Sequence, residues 1–300
     1  MAVVKQNNYH DEQSRQNILK MRAVIDTLPP FCKTFFRGIE EYTSARTRLA
    51  YAYDIRLFFE YFHEQNAICA KMEIRDFPLS LLDQLTRLDI EEYLEYMSLY
   101  SKEGREITNE ERGKARKLAA LRSFYNYFYK SELIENNPAS LVAMPKLHDK
   151  EIIRLEPNEV AILLDQVEDG TELTKKELEY NKKTKIRDIA LLTLLLGTGI
   201  RVSECVGLDL KDVNFDVCGI KVRRKGGYEA IVYFGNEVET ALLDYLEERE
   251  SIIPLEGHED ALFLSMQNRR ITVRAVENLV KKYASRVTTL KKITPHKLRS

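Results

Sequence analysis

The sequence holds 300 residues, with 46 lysines and arginines against 47 aspartates and glutamates and a formal net charge of −1. A chain of that length with 44% hydrophobic and 31% charged residues is globular, needs no disulfide or metal staple, and is expected to form roughly two domains. Disorder and a collagen repeat are excluded, and the longest apolar run, Ile189 to Leu196, is well short of the roughly 20 residues a membrane helix needs.

Residues 1–27 are polar with isolated apolar positions, and Met-Ala-Val-Val-Lys-Gln-Asn-Asn at the start has no apolar core of a secretory signal. A polar N-terminal segment is expected there, closed off by Pro29-Pro30. Residues 28–138 then read as a small all-helical domain. Leu49, Ala52, Ile55, Phe58, Phe59 and Phe62 recur three and four apart, which places them on one buried helix face. Leu85 to Tyr100 predicts a second helix starting at Thr86 or Asp89, and Leu118, Leu121, Phe124, Tyr125 and Phe128 give a third. Asn136-Asn137-Pro138 should end that helix, because proline removes an amide donor and clashes with the preceding turn. Residues 139–156 read as a linker.

A second domain is expected over 157–300. Pro157-Asn158-Glu159 opens a helix, and Glu168 to Lys185 is charged without a core pattern, as a surface excursion would be. Ile189 to Leu196 predicts a buried helix that Gly197 ends. The period then changes: Ile220 and Val222, then Ile231 and Tyr233, alternate with polar residues about Gly226-Gly227, which predicts a β-hairpin. Helical pattern returns over Val238 to Leu246 and Val273 to Tyr283. The fold class is therefore mainly α with a small antiparallel β-sheet. The four cysteines are scattered without C-x-x-C spacing, so a reduced, cytoplasmic setting without metal or other cofactor is the simplest expectation.

Charge is segregated although the total is near zero. From Met266 onward the chain carries Arg269, Arg270, Arg274, Lys281, Lys282, Arg286, Lys291, Lys292, Lys297 and Arg299, with Glu277 as the only acid. Arg112, Lys114, Arg116, Lys117 and Arg122 form a second basic run, while acids gather in Asp244 to Glu250. Local potential rather than net charge attracts a polyanion, so both runs are candidate phosphate surfaces; either alone reads better as a solvated helix face. Three short motifs point the same way. Arg201 lies in Thr-Gly-Ile-Arg-Val-Ser-Glu after a glycine turn, Lys225 sits at the predicted hairpin tip, and His296 and Arg299 are three apart in Pro-His-Lys-Leu-Arg. Each has an ordinary structural explanation. Together, two arginines, a lysine and a histidine make a set that handles phosphate, since guanidinium groups bind nonbridging oxygens in pairs and lysine supplies a proton or a point charge.

In this order the motifs resemble the tyrosine recombinase, or phage integrase, family, and within it the Xer-like branch. Thr47-Arg48-Leu49-Ala50-Tyr51 and Leu118 to Tyr125 resemble that family's core-binding domain, so the likeness covers about residues 40 to 300. The resemblance implies a two-domain DNA clamp, a helical core-binding domain plus a mixed α/β catalytic domain. It implies attack by a tyrosine on a phosphodiester, leaving a 3′-phosphotyrosine and a free 5′-hydroxyl. Arg201 and Arg299 would hold the nonbridging oxygens, Lys225 would protonate the leaving oxygen, His296 would hydrogen-bond the phosphate, and Glu204 would buttress Arg201. Arg46, Arg48, Arg116, Lys117 and Arg122 would touch the DNA backbone. The implied partner is a duplex recombination site, bound by a homo- or hetero-tetramer, with no membrane or small-molecule partner. The family's nucleophilic tyrosine follows the second arginine, yet none of the 16 tyrosines lies after His296. The expectation is that the nucleophile lies beyond Ser300 and that residues 1–300 alone bind DNA without cutting it. A DNA-binding accessory or inactivated relative, a type IB topoisomerase and a plain helical scaffold are the competing readings; none accounts as well for the ordered series.

Overall fold

Apolar side chains spaced three and four apart organise the first of two compact units, Met1–Asp149 and Lys150–Ser300. The structure, a computed structural model, describes residues 9–148, 153–224, 226–288 and 293–298.

The first unit contains α1 (Tyr9–Ile25), α2 (Phe31–Gly38), α3 (Ala45–Gln65), α4 (Leu81–Gln84), α5 (Arg87–Tyr96), β1 (Leu99–Lys102), β2 (Arg105–Thr108), α6 (Glu111–Lys130) and α7 (Pro138–Leu141). Helices α3 and α6 face each other through the two expected stripes. Phe58, Phe59, Phe124 and Phe128 are buried together with Phe35 and Tyr93, and the rings meet edge to face at centroid separations such as 5.1 Å for Phe35–Phe124. Each such ring contributes about 1.5–3 kcal/mol by leaving water, and the edge-to-face geometry adds to it. Of the two possible starts of α5, Thr86 is the cap: its backbone N–H donates to Asp89 at 2.7 Å and its hydroxyl accepts from the Asp89 amide at 3.4 Å.

Three expectations for this unit are corrected. The polar segment over 1–27 holds a helix whose last turns bury Met21, Val24 and Ile25 against α3; residues 1–8 are outside the described residues. The unit is not all helical, because β1 and β2 pair as a hairpin with Tyr100 opposite Ile107. Glu103 and Gly104 take φ of 52° and 72°, the two positive values that a two-residue hairpin turn requires, and each short strand carries too little apolar pattern to announce itself. Helix α6 ends at Lys130, and Pro138 opens α7, where a missing amide costs nothing and the Asn137 side chain accepts from the Ser140 amide at 3.2 Å.

The second unit contains α8 (Pro157–Asp169), α9 (Lys175–Thr198), α10 (Val202–Cys205), β3 (Val213–Asn214), β4 (Gly219–Arg223), β5 (Glu229–Tyr233), α11 (Asn236–Glu250), α12 (Val273–Val287) and α13 (Pro295–Leu298). The strands form one antiparallel sheet in the order β3-β4-β5. The fold is mainly α with small antiparallel sheets, as the sequence implied. The charged stretch over 168–185 is not an excursion but the end of α8, a turn, and the first half of α9. Thr174 caps α9, and the Glu177 carboxylate accepts from the Thr174 hydroxyl at 2.7 Å, from its amide at 2.9 Å, and from Arg286 of α12 at 2.8 Å. Those bonds, the Thr174 hydroxyl's first, hold Glu177 down at about 2. Gly197 does not end the helix: it lies inside α9, where a Cβ would meet Val238 Cγ2 of α11 at 2.6 Å. The register of β5 is also one residue off the expectation. Val232 and Ala230 pair with the buried Ile220 and Val222, so Ile231 and Tyr233 point outward. Among the described residues no helix is long and apolar enough to cross a membrane.

Candidate active site

Helix α9 delivers the central arginine. Its later turns, Ala190 to Leu195, are buried, and the chain leaves the helix through Gly199 at φ 60°, whose amide donates to the Leu195 carbonyl at 3.0 Å. A left-handed residue at that point is what glycine supplies without steric cost. The chain then turns into α10, and Arg201 emerges at its start with 45% of the side chain exposed.

Glu204 fixes that arginine in two ways. Its carboxylate accepts from the Arg201 backbone amide at 2.8 Å through Oε2 and from Arg201 Nη1 at 2.8 Å through Oε1. The Glu204 side chain is only 3% exposed, so its charge would be costly if unpaired. A second guanidinium completes the pairing: Arg224 Nη1 reaches Glu204 Oε2 at 3.2 Å from just past the end of β4. Three charged groups with a net charge of +1 therefore meet where α10 faces the hairpin, and Arg201 presents its open side to solvent. That is the electrostatic need of a phosphodiester oxygen.

The hairpin turn closes through backbone bonds. The Arg224 amide donates to the Tyr228 carbonyl at 2.9 Å, the Gly227 amide donates to the Arg224 carbonyl at 3.0 Å, and Gly226 and Gly227 take φ of 96° and 85°. Lys225 lies outside the described residues, as does Arg299. His296 is exposed on α13, whose Pro295 and Leu298 are buried and which packs against both α9 and α12. The structure thus joins Arg201 and Glu204 directly and sets His296 on a helix seated against α9, whose C-terminal end leads into Arg201. Arg224 was not foreseen. The sequence signal for it was the basic pair Arg223-Arg224 ahead of the glycine turn, which reads as ordinary hairpin charge until Glu204 is seen to be buried. Tyr283 is no nucleophile: it is fully buried, its hydroxyl accepts from Asn181 and Lys282 at 3.0 Å each, and burial pushes it up to about 12.

The basic residues of the first unit divide. Arg46 is exposed on the first turn of α3, and Arg116 is 51% exposed while bonding Asp54. The other three make bonds inside the unit. Arg48 is buried and donates to the Glu40 and Thr43 carbonyls at 2.8 and 2.9 Å. Lys117 is buried against Asp54 at 3.4 Å, and Arg122 donates to the Ala139 and Val142 carbonyls, tying α6 to the chain around α7. The C-terminal basic run splits likewise, since Arg270 bonds Asp209 and two carbonyls while Arg286 pairs with Glu177.

Residues 154–300 match the phage integrase family. Tyrosine recombinase XerC of Caldanaerobacter subterraneus subsp. tengcongensis is 34% identical over 283 residues, covering 90% of this chain and 73% of the relative. Tyrosine recombinase XerS of Streptococcus agalactiae is 30% identical, covering 85% of this chain and 80% of the relative. Among solved structures, XerH site-specific recombinase bound to a palindromic difH substrate aligns with a TM-score of 0.62 at 20% identity, over 85% of this chain and 67% of that one. A lambda integrase dimer bound to a core site aligns with a TM-score of 0.60 at 14% identity, over 90% of this chain and 85% of that one. At such identities the structural likeness speaks for the fold.

Proposed function

The chain belongs to the phage integrase family, as an Xer-like tyrosine recombinase, and we propose that its phosphate-binding centre is built on Arg201. Its activity is site-specific DNA recombination by breaking and rejoining strands. The observation that supports the finer reading is the exposed Arg201 guanidinium held by a buried Glu204.

In this reading a tyrosine hydroxyl attacks the phosphorus and the P–O5′ bond breaks, so a 3′-phosphotyrosine replaces the backbone link. Arg201 and Arg299 neutralise the nonbridging oxygens as charge gathers there, and His296 hydrogen-bonds the same phosphate. Lys225 gives its proton to the departing 5′-oxygen. Rejoining reverses these steps, with the bond energy kept in the covalent link. Sulfur at the 5′ position needs far less protonation to leave. Lys225→Ala should therefore lose about 10²–10⁴-fold in cleavage of an ordinary substrate and recover most of it on a 5′-thiol substrate. No recovery would remove Lys225 as general acid.

The duplex recombination site is the partner in this reading, in a cytoplasmic setting, and the clamp and the homo- or hetero-tetramer belong to the same proposal. Arg46 and Arg116 are the first-unit side chains placed to meet phosphate. Replacing both with alanine should lower the log–log salt slope of duplex binding by about two, roughly 0.9 for each lost contact. Lys117→Ala should leave the slope unchanged. The same native-gel titration should end at four protomers on a pair of sites. An unaltered slope in the double variant would discard these two contacts.

A further inference from the structure

We infer that Arg224 is a positioning residue that acts through Glu204: it offsets the charge of that carboxylate, so that Arg201 meets the scissile phosphate as a cation and not as half of a neutral pair. The inference rests on the role of Arg201 given above.

Strand β4 aims the side chain. Alternate residues of a strand face the same way, and Ile220 and Val222 are buried while Lys221 between them is exposed. Arg224 continues that inward row. Its amide donates to the Tyr228 carbonyl at 2.9 Å, which carries the β4–β5 ladder one pair beyond Arg223 and Glu229. Its guanidinium, 22% exposed, therefore comes to a carboxylate that is 3% exposed, with Nη1 3.2 Å from Glu204 Oε2. Arg201 reaches the same carboxylate through its amide, on Oε2, and through Nη1, on Oε1, at 2.8 Å each. An arginine paired with one acid alone is a neutral couple, and an approaching phosphate is repelled by the acid while it is drawn to the base. Salt screens that repulsion little where the acid is buried. A second guanidinium on Glu204 moves the balance from zero to +1, and Arg201, at 45% exposed, is the member that meets solvent. Arginine suits the task because it stays charged at every working pH.

The test measures single-turnover cleavage by the full-length protein on two duplexes, one ordinary and one with an uncharged methylphosphonate at the scissile position. Arg224→Gln keeps a donor for Glu204 and loses the charge. It should lose about 10- to 100-fold on the ordinary duplex and less than about 3-fold on the methylphosphonate, each relative to the parent protein on the same duplex. Comparing one variant across two substrates cancels its folded fraction, and Arg224→Met takes its place if glutamine yields no folded protein. Arg224→Lys keeps the charge and should stay within about 3-fold of the parent on both duplexes. In a Glu204→Gln background there is no charge to offset, so adding Arg224→Gln there should cost less than about 3-fold. Equal losses of Arg224→Gln on the two duplexes would overturn the inference, as a general structural effect, and so would undiminished cleavage of the ordinary one. A lysine variant as impaired as the glutamine variant would overturn it too, as would a full loss that persists without the Glu204 charge, which would mean direct contact with the phosphate. Arg201→Ala runs alongside. If the methylphosphonate fails to relieve that variant, the Arg201 reading falls and takes this inference with it, whereas relief of Arg201→Ala with equal losses in Arg224→Gln sinks the inference alone.

Discussion

Arg201→Ala should slow strand cleavage by about 10²–10³-fold or more, with duplex affinity close to that of the parent protein. The side chain is nearly half exposed and is aimed by Glu204, so it can meet a phosphate without first leaving its post. In the proposed role, its loss removes donors where negative charge would grow during attack on phosphorus. Grip on the duplex is spread over many phosphates and depends little on one of them. Folding should survive, because Arg224 still pairs with the buried Glu204 carboxylate. Arg201→Lys should recover little, since an ammonium cannot address two oxygens in one plane. Covalent-complex formation and a gel shift on one duplex measure both quantities. A fall in binding as large as the fall in cleavage would make Arg201 a grip residue rather than part of the chemistry.

The second large effect is one of stability, in the other unit. Asp54 of α3 is 3% exposed, between the buried Lys117 and the half-exposed Arg116 of α6. Burial raises the Asp54 carboxyl above its ordinary range against the pull of Lys117 and Arg116, and burial lowers Lys117 against the pull of Asp54. Both charges are tolerated because each has the other. Asp54→Ala leaves Lys117 without its counter-charge and should cost about 3–5 kcal/mol in the urea unfolding of the first unit. Replacing both, as Asp54→Leu with Lys117→Met, should restore most of the loss, since an apolar pair of similar volume has no charge to desolvate. A single alanine variant within about 1 kcal/mol of the parent would show that water already reaches the pair.

The sequence displayed the core of each unit more clearly than it displayed the charges inside it. The stripes of α3 and α6 and the glycine-centred hairpin were legible because apolar periodicity and positive φ each follow from one physical rule. Arg201 and Glu204 were legible as a motif, and the i, i+3 spacing already allowed their contact. Arg48, Asp54 and Lys117 were harder. Each falls in register with an apolar stripe, as in Lys117, Leu121, Phe124 and Phe128, and a charge on a core face is a sign of internal pairing. The first half of α9 was missed for a different reason: its charged face needs no core, yet Thr174-Lys175-Lys176-Glu177 spells a helix start that the lack of apolar pattern obscured. Arg224 read only as ordinary hairpin charge, because its pairing is with a carboxylate 20 positions earlier.

That shared carboxylate also constrains how the protein can vary. With one buried glutamate serving two guanidiniums, positions 201, 204 and 224 are energetically coupled rather than independent. A change at 224 that a lineage could otherwise accept leaves Glu204 with half its counter-charge. Shortening Glu204 to aspartate forces a choice between its two partners. The effect of a change at any one of the three should therefore depend on the state of the other two, and Arg224 and Glu204 variants should be non-additive in a double-mutant cycle.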